Sequence, residues 1–260
     1  MLNIGFIGAG NMAQAMIKGW SQLDEVHQVV YAPHSGQSVA ENMQIDFATT
    51  AEALVKQSDL IVIATPPTHL AAVAQEINSV VTGKVIISIL GGISLSTLMT
   101  HFDSSDLLVR ALPNVNVAVQ QGYTAMAVNP AVDDEVKGAV FGLLTVLGRV
   151  DELPETQFGA VSALAGSGPA FVAGFVQAMT QAGLAAGVQP DIAEQLAVQT
   201  AQGTLDKMVH EKLTPMALAE QVMTPGGSTA AGWDVLQTKD ITALMTQVIQ
   251  ATMAKNAEFE

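Results

Sequence analysis

Two glycines separated by a single residue, Gly8 and Gly10, stand between an apolar strand-like run and an amphipathic helix-like run near the start of the chain. No other feature restricts the fold as strongly. Residues 2–7 read as a strand and residues 11–22 as a helix. Gly8-Ala9-Gly10-Asn11-Met12-Ala13 is therefore a G-x-G-x-x-A turn in the strand–turn–helix setting that a dinucleotide fingerprint requires. Gly8 permits the tight turn, and Gly10 lets backbone approach a pyrophosphate. Ala13 is small enough for close helix–strand packing, while Asn11 and Met12 open a helix whose N–H groups attract anions. A purely structural turn would use the same glycines; the flanking elements favour the cofactor.

The first half continues as alternation. Strands are predicted at 26–32, 60–64, 85–90, 107–112 and 123–128, with helices at 51–57 and 68–80. The run at 60–64 (LIVIA) is apolar throughout, as a strand buried on both faces should be. This spacing predicts βαβ units and a mostly parallel sheet. Beyond Glu152 no strand is predicted, and helices follow at 171–186, 191–209, 214–222, 230–237 and 240–256. Asp191 and Thr214 are the expected N-caps of two of them, the latter with Pro215 at the first helical position. The expected architecture is an α/β, Rossmann-type, doubly wound domain over residues 1–152. An all-α dimerisation domain would follow over residues 153–260.

Composition removes several functions. With 10 Lys+Arg against 24 Asp+Glu the net charge is −14, which repels a phosphate backbone and argues against nucleic-acid binding. Hydrophobic residues at 49% and charged residues at 13% exclude disorder as a main theme. The absence of cysteine excludes disulfides, thiolate metal sites and a cysteine nucleophile, and fits a reducing compartment. Five histidines without an i, i+4 pair leave no zinc motif, so no metal is expected. No G-x-S-x-G elbow is present. The N-terminus shows no basic targeting region, and a cytoplasmic protein is expected. Residues 156–190 carry no charged side chain, but Gly166, Gly168 and Pro169 interrupt them. A helix surrounded by protein, rather than a membrane span, is the expectation.

Two Gly-rich breaks mark the second half. Leu164-Ala165-Gly166-Ser167-Gly168-Pro169 and Thr224-Pro225-Gly226-Gly227-Ser228-Thr229 each precede a helix. Flexible backbone and hydroxyls at a helix N-terminus bind carboxylates or phosphates, or simply cap the helix. After the second strand the chain reads Ala32-Pro33-His34-Ser35, with no acid to hold ribose hydroxyls and no Arg. The missing acid favours NADPH, with NADH left open; His34, Ser35 and Ser38 are candidates to hold a 2′-phosphate.

These segments, in this order, resemble the pyrroline-5-carboxylate reductase family, which catalyses the last step of proline biosynthesis. The resemblance rests on residues 4–13, on LAGSGPAF at 164–171 and on MTPGGST at 223–229, with QTAQG at 199–203 between them. It implies an oxidoreductase that transfers a hydride from NAD(P)H to the imine carbon of 1-pyrroline-5-carboxylate, giving L-proline. It further implies that the substrate carboxylate lies on Gly226, Gly227 and Ser228, with the Thr229 hydroxyl beside the imine nitrogen and Ser228 and Thr229 as the catalytic pair. Ser167 and Gly168 would shape the pocket floor. Ala64, Thr65, Pro66 and Gly91 would line the cofactor, and Asn114 would contact the nicotinamide ribose. The family's homodimers, often stacked into larger rings such as a decamer, are implied too. Where the family usually carries Lys and the run Pro-Asn-Thr-Pro, this chain has Thr65 and Pro113-Asn114-Val115-Asn116. The alternatives are another small-acid imine or ketone reductase of this architecture, or a non-catalytic NADP-binding paralogue.

Overall fold

The first strand, β1 (Leu2–Ile7), divides its side chains between two cores, because successive residues of a strand point to opposite faces. Ile4 and Phe6 enter one core and Ile7 the other. The computed structural model describes residues 1–102 and 107–258. After β1 come α1 (Asn11–Trp20), β2 (Val26–Tyr31), α2 (Gly36–Met43) and the short β3 (Asp46–Phe47). Next are α3 (Ala51–Gln57), β4 (Leu60–Ile63), α4 (Leu70–Ile77), β5 (Val85–Ser88) and α5 (Leu95–His101). The sheet is completed by β6 (Leu108–Pro113), β7 (Gly122–Val128) and β8 (Gly148–Glu152), with α6 (Asp134–Thr145) joining the last two.

The eight strands lie in the order β3-β2-β1-β4-β5-β6-β7-β8. All neighbouring pairs are parallel except β6 with β7. The exception has a local cause: only a 3-10 turn, Val115–Val119, joins them, and a parallel crossover needs a dozen or so residues. The expected fully apolar strand is β4. Its Leu60 and Val62 join the core beneath α1, α2 and α6, and its Ile61 and Ile63 join the core beneath α3, α4 and α5.

The predicted strands and long helices are present, with ends shifted by up to three residues. The sequence reading did not foresee α2, β3, α5, α6 or β8. Of these, α2 reads GQSVAENM and β8 reads GRVDE, with too few apolar residues to declare a period.

The chain forms two compact units: residues 1–167 together with the end of the chain from Thr252, and residues 168–251. α7 (Phe158–Val161) and the turn behind it pack with the first core. Phe158 is buried there under the Arg110 guanidinium, which lies 4.5 Å from its ring centroid. Arg110 also donates to Glu155 Oε1 at 2.6 Å, an oxygen that accepts from Leu95 N at 2.9 Å as well.

The second unit is helical: α8 (Gly168–Ala185), α9 (Pro190–Glu211), α10 (Pro215–Val222) and α11 (Ser228–Thr238). The last helix, α12 (Ile241–Asn256), begins in this unit and ends in the first. Thr214 caps α10 as expected, accepting from Ala217 N. Asp191 does not cap α9: Gln189 holds that position with Pro190 following it, which leaves Asp191 in the first turn. An acid there still favours the helix dipole. Residues Glu155–Ala185 are long and apolar enough to cross a membrane by length and composition. Within one chain only Phe158, Ala163 and Thr180 of this stretch are buried, as expected of a helix that needs a partner subunit to cover it.

Candidate active site

Strand direction gathers the fingerprint and its companions. Because β1, β2, β4, β5 and β6 are mutually parallel, the segments after their C-terminal ends share one edge of the sheet. Those segments hold Gly8–Ala13, His34–Ser35, Ala64–Pro66, Gly91 and Asn114. The strand order reverses at the β1–β4 pair, where such sheets form a crevice for ligands.

The two fingerprint glycines have different physical causes. Gly8 has φ +111°, and a Cβ there would come within 2.4 Å of the Ala64 carbonyl oxygen. Backbone at the ends of β1 and β4 is thus in direct contact, and only glycine fits. Gly10 has φ −72°, which any residue can adopt, and its Cβ would meet nothing within 4 Å. The space above Gly10 is open. Ala13 is buried, as close packing of α1 on the sheet demands.

The N-terminus of α1 fits a phosphate. Gly10 is its N-cap with no side-chain cap, and no acid occupies the first turn. By contrast, Thr50, Ser94 and Asp133 each spend a side-chain oxygen capping α3, α5 and α6. The loop before α1 is braced from below by Gln14 Nε2, which donates to Ala9 O at 2.8 Å. Ser35 precedes α2 and does not cap it, and His34 and Ser35 are both exposed. Thr65 Oγ1 is buried without a hydrogen-bond partner among the described residues. Leaving such an oxygen unsatisfied costs about 1–3 kcal/mol. An orphaned hydroxyl beside Gly8 fits a crevice that takes a polar ligand.

Asn114 is placed differently from its neighbours on this edge. It is 6% exposed, and its whole amide is engaged within the protein. Oδ1 accepts from Asn116 N and Tyr123 N, each at 3.2 Å, and Nδ2 donates to Ala165 O at 3.1 Å.

The two Gly-rich breaks of the second half differ in form. Residues Ser162–Gly166 make a π-helical turn, closed by Ser167 N on Ser162 O at 3.0 Å, and Gly168 then starts α8. Such turns recur at functional sites. In the other break, Gly226 has φ +75° and Gly227 N donates to Thr224 O at 2.9 Å. Gly227 is the N-cap of α11, again without a side-chain bond and without an acid in the first turn. The N–H groups of Ser228 and Thr229 are at an uncapped, exposed helix start, and both side chains are exposed. An uncapped helix start of this kind suits an anion.

No group of three or more His, Cys, Asp or Glu that could hold a metal occurs among the described residues. The carboxyl groups held below their usual range lie elsewhere: Asp59, which accepts from the Asn3 backbone, and Asp151, bonded to the Arg149 side chain. Sequence reasoning did not single out Gln14, Arg110, Glu155 or Asn256, and their roles depend on tertiary partners with no signal in the local pattern.

Comparison with known proteins gives a consistent picture. A family model described as pyrroline-5-carboxylate reductase dimerisation matches residues 155–259, and one described as NADP oxidoreductase, coenzyme F420-dependent, matches residues 3–92. Pyrroline-5-carboxylate reductase 3 of Macaca fascicularis is 32% identical over 98% of this chain and 95% of its own length. The crystal structure of 1-pyrroline-5-carboxylate reductase from Streptococcus pyogenes has a TM-score of 0.86, with 29% identity and 98% of each chain covered. A Plasmodium falciparum pyrroline carboxylate reductase, solved with NADP bound, has a TM-score of 0.87 at 25% identity, covering 98% of this chain and 97% of that one.

Proposed function

The chain belongs to the pyrroline-5-carboxylate reductase family, and from that premise we propose that it reduces 1-pyrroline-5-carboxylate to L-proline with NADPH. The observation that carries this reading is the pair of glycine-capped helix starts, Gly10 on α1 and Gly227 on α11, each free of side-chain caps and acids. One suits a pyrophosphate and the other a substrate carboxylate.

When bound, the nicotinamide cofactor supplies the hydride. Gly8–Ala13 hold the pyrophosphate, and Ala64, Thr65, Pro66 and Gly91 line the same edge. Ser35, whose hydroxyl does not cap α2, and His34 are the partners of a 2′-phosphate, which favours NADPH over NADH. On the helical unit, the N–H groups of Gly227, Ser228 and Thr229 hold the carboxylate, and Ser167 and Gly168 shape the pocket floor. The Thr229 hydroxyl would donate to the imine nitrogen and relay a proton to it that water replaces, while the cofactor would supply the hydride to the carbon. An imine needs no strong acid, so holding two reactants in reactive geometry supplies most of the rate.

The exposed apolar faces of residues 168–251 support a homodimer, which the family stacks into larger rings. A net charge of −14 and the lack of cysteine support a cytoplasmic enzyme that does not bind nucleic acid.

The test is oxidation of NADPH and NADH by purified protein, with and without pyrroline-5-carboxylate. Substrate-dependent oxidation that is faster with NADPH is expected. Cofactor binding without turnover would remove the reductase reading and leave a non-catalytic relative.

A further inference from the structure

Proline at position 169 creates a problem that the fold solves at a distance. In a continuous helix the Ala165 carbonyl would accept from the N–H of residue 169, and Pro169 has none. A carbonyl left orphaned at a π-helical turn would let the turn rearrange. The donor is instead Asn114 Nδ2, 51 positions earlier, at 3.1 Å. Asn114 can hold that amide still because its Oδ1 is fixed by two backbone donors, Asn116 N and Tyr123 N. A second asparagine acts on the other end of the turn: Asn256 Nδ2, at the end of α12, donates to Ser162 Oγ at 3.1 Å. Both asparagines and the turn belong to the first compact unit.

We propose that Asn114 is a positioning residue for the substrate, not a cofactor ligand, and that Asn114 and Asn256 together clamp the Ser162–Gly166 turn so that Ser167 and Gly168 are presented in fixed register. The inference rests on the assignment of Ser167 and Gly168 to the substrate pocket. Asn114 therefore governs substrate affinity from the cofactor edge of the sheet without touching either reactant. Misplacing a substrate-positioning segment by about 1 Å is enough to cost about 100-fold in rate.

The experiment is Asn114→Asp, which preserves size and both accepted bonds but replaces the donor with an oxygen facing the Ala165 carbonyl. The KM for pyrroline-5-carboxylate should rise by about 10-fold or more, while the NADPH Kd, read by fluorescence titration, stays within about twofold. A weakened NADPH Kd with unchanged substrate KM would overturn the proposal in favour of a cofactor contact, and no change in either would overturn it outright. If Asn114→Asp loses its cooperative melting transition, Asn256→Ala decides. A rise in substrate KM of about threefold with NADPH binding intact supports the clamp, and an unchanged KM removes it. Failure of the reductase reading itself shows up separately, as wild-type protein that does not turn over pyrroline-5-carboxylate, and the inference falls with it.

Discussion

The two compact units bury their apolar residues to opposite extents. Residues 1–167 bury Phe6, Met16, Trp20, Phe102 and Phe158 almost completely, in two cores on either side of a sheet. Among the described residues of 168–251, only Thr180, Ala193, Ala197 and Leu218 are buried, while Val172, Phe175, Leu196 and Val209 are 45% exposed or more. The hydrophobic effect acts alike on both, so the difference lies in geometry. A sheet with helices on both faces can close on itself; helices apolar on several faces need a second surface. The first unit closes its own cores, and the second leaves apolar faces open to a further surface.

The largest expected effect comes from attacking that half. Phe175, 51% exposed on α8, should tolerate a charge in a lone chain but not in a dimer. Phe175→Asp should shift the protein to monomer on size-exclusion chromatography with light scattering and cut turnover by about 100-fold. NADPH binding should survive. A dimeric, active Phe175→Asp would show that α8 does not carry the interface.

Within the first unit, two neighbouring glycines separate function from fold. Gly10→Ser meets open space and an ordinary φ and can still cap α1, so it should leave the melting temperature unchanged while weakening NADPH binding by about 10-fold or more. Gly8→Ala meets the Ala64 carbonyl and should cost about 1–3 kcal/mol of stability by denaturant titration. Equal losses of stability in the two would erase the distinction.

Thr229→Ala, on the helical unit, should lower kcat by about 10-fold with the dimer intact. An unchanged rate would take the hydroxyl out of the protonation step.

The smallest effect concerns pH. The Asn3 backbone N–H, at 2.9 Å, holds the Asp59 carboxyl below its usual value. A lowered folded-state value stabilises the fold above the unfolded-state value of about 3.9, and that stabilisation is lost as pH falls through the folded value. Asp59→Asn should therefore melt slightly below wild type at neutral pH, with the gap closing below about pH 4. A gap that persists in acid would assign the loss to packing instead.

Much of this architecture was legible from residue order. The β4 run announces a strand covered on both faces, and Gly8–Ala13 announces the cofactor edge, because each signal is local and periodic. The helices and strands that escaped notice, α2 and β8 above all, draw their apolar contacts from tertiary neighbours rather than from a strong period of their own. Asp191 looked like a cap because its residue type fits, yet Pro190 sets the helix start one position earlier. Asn114 stands where a cofactor contact would be expected, and its amide also bonds Ala165, Asn116 and Tyr123, partners that no local pattern reveals.

One consequence concerns the order in which the protein is made. The chain leaves the first unit at Ser167 and re-enters it at Thr252, so the helical unit is an insertion in an otherwise N-terminal domain. The turn at Ser162 gains its partner Asn256 only after the whole helical unit has been made. A nascent chain can build the sheet early, but its helical turn stays half-fastened until α12 emerges from the ribosome. A change at the end of α12 would therefore act on the first unit as much as on that helix.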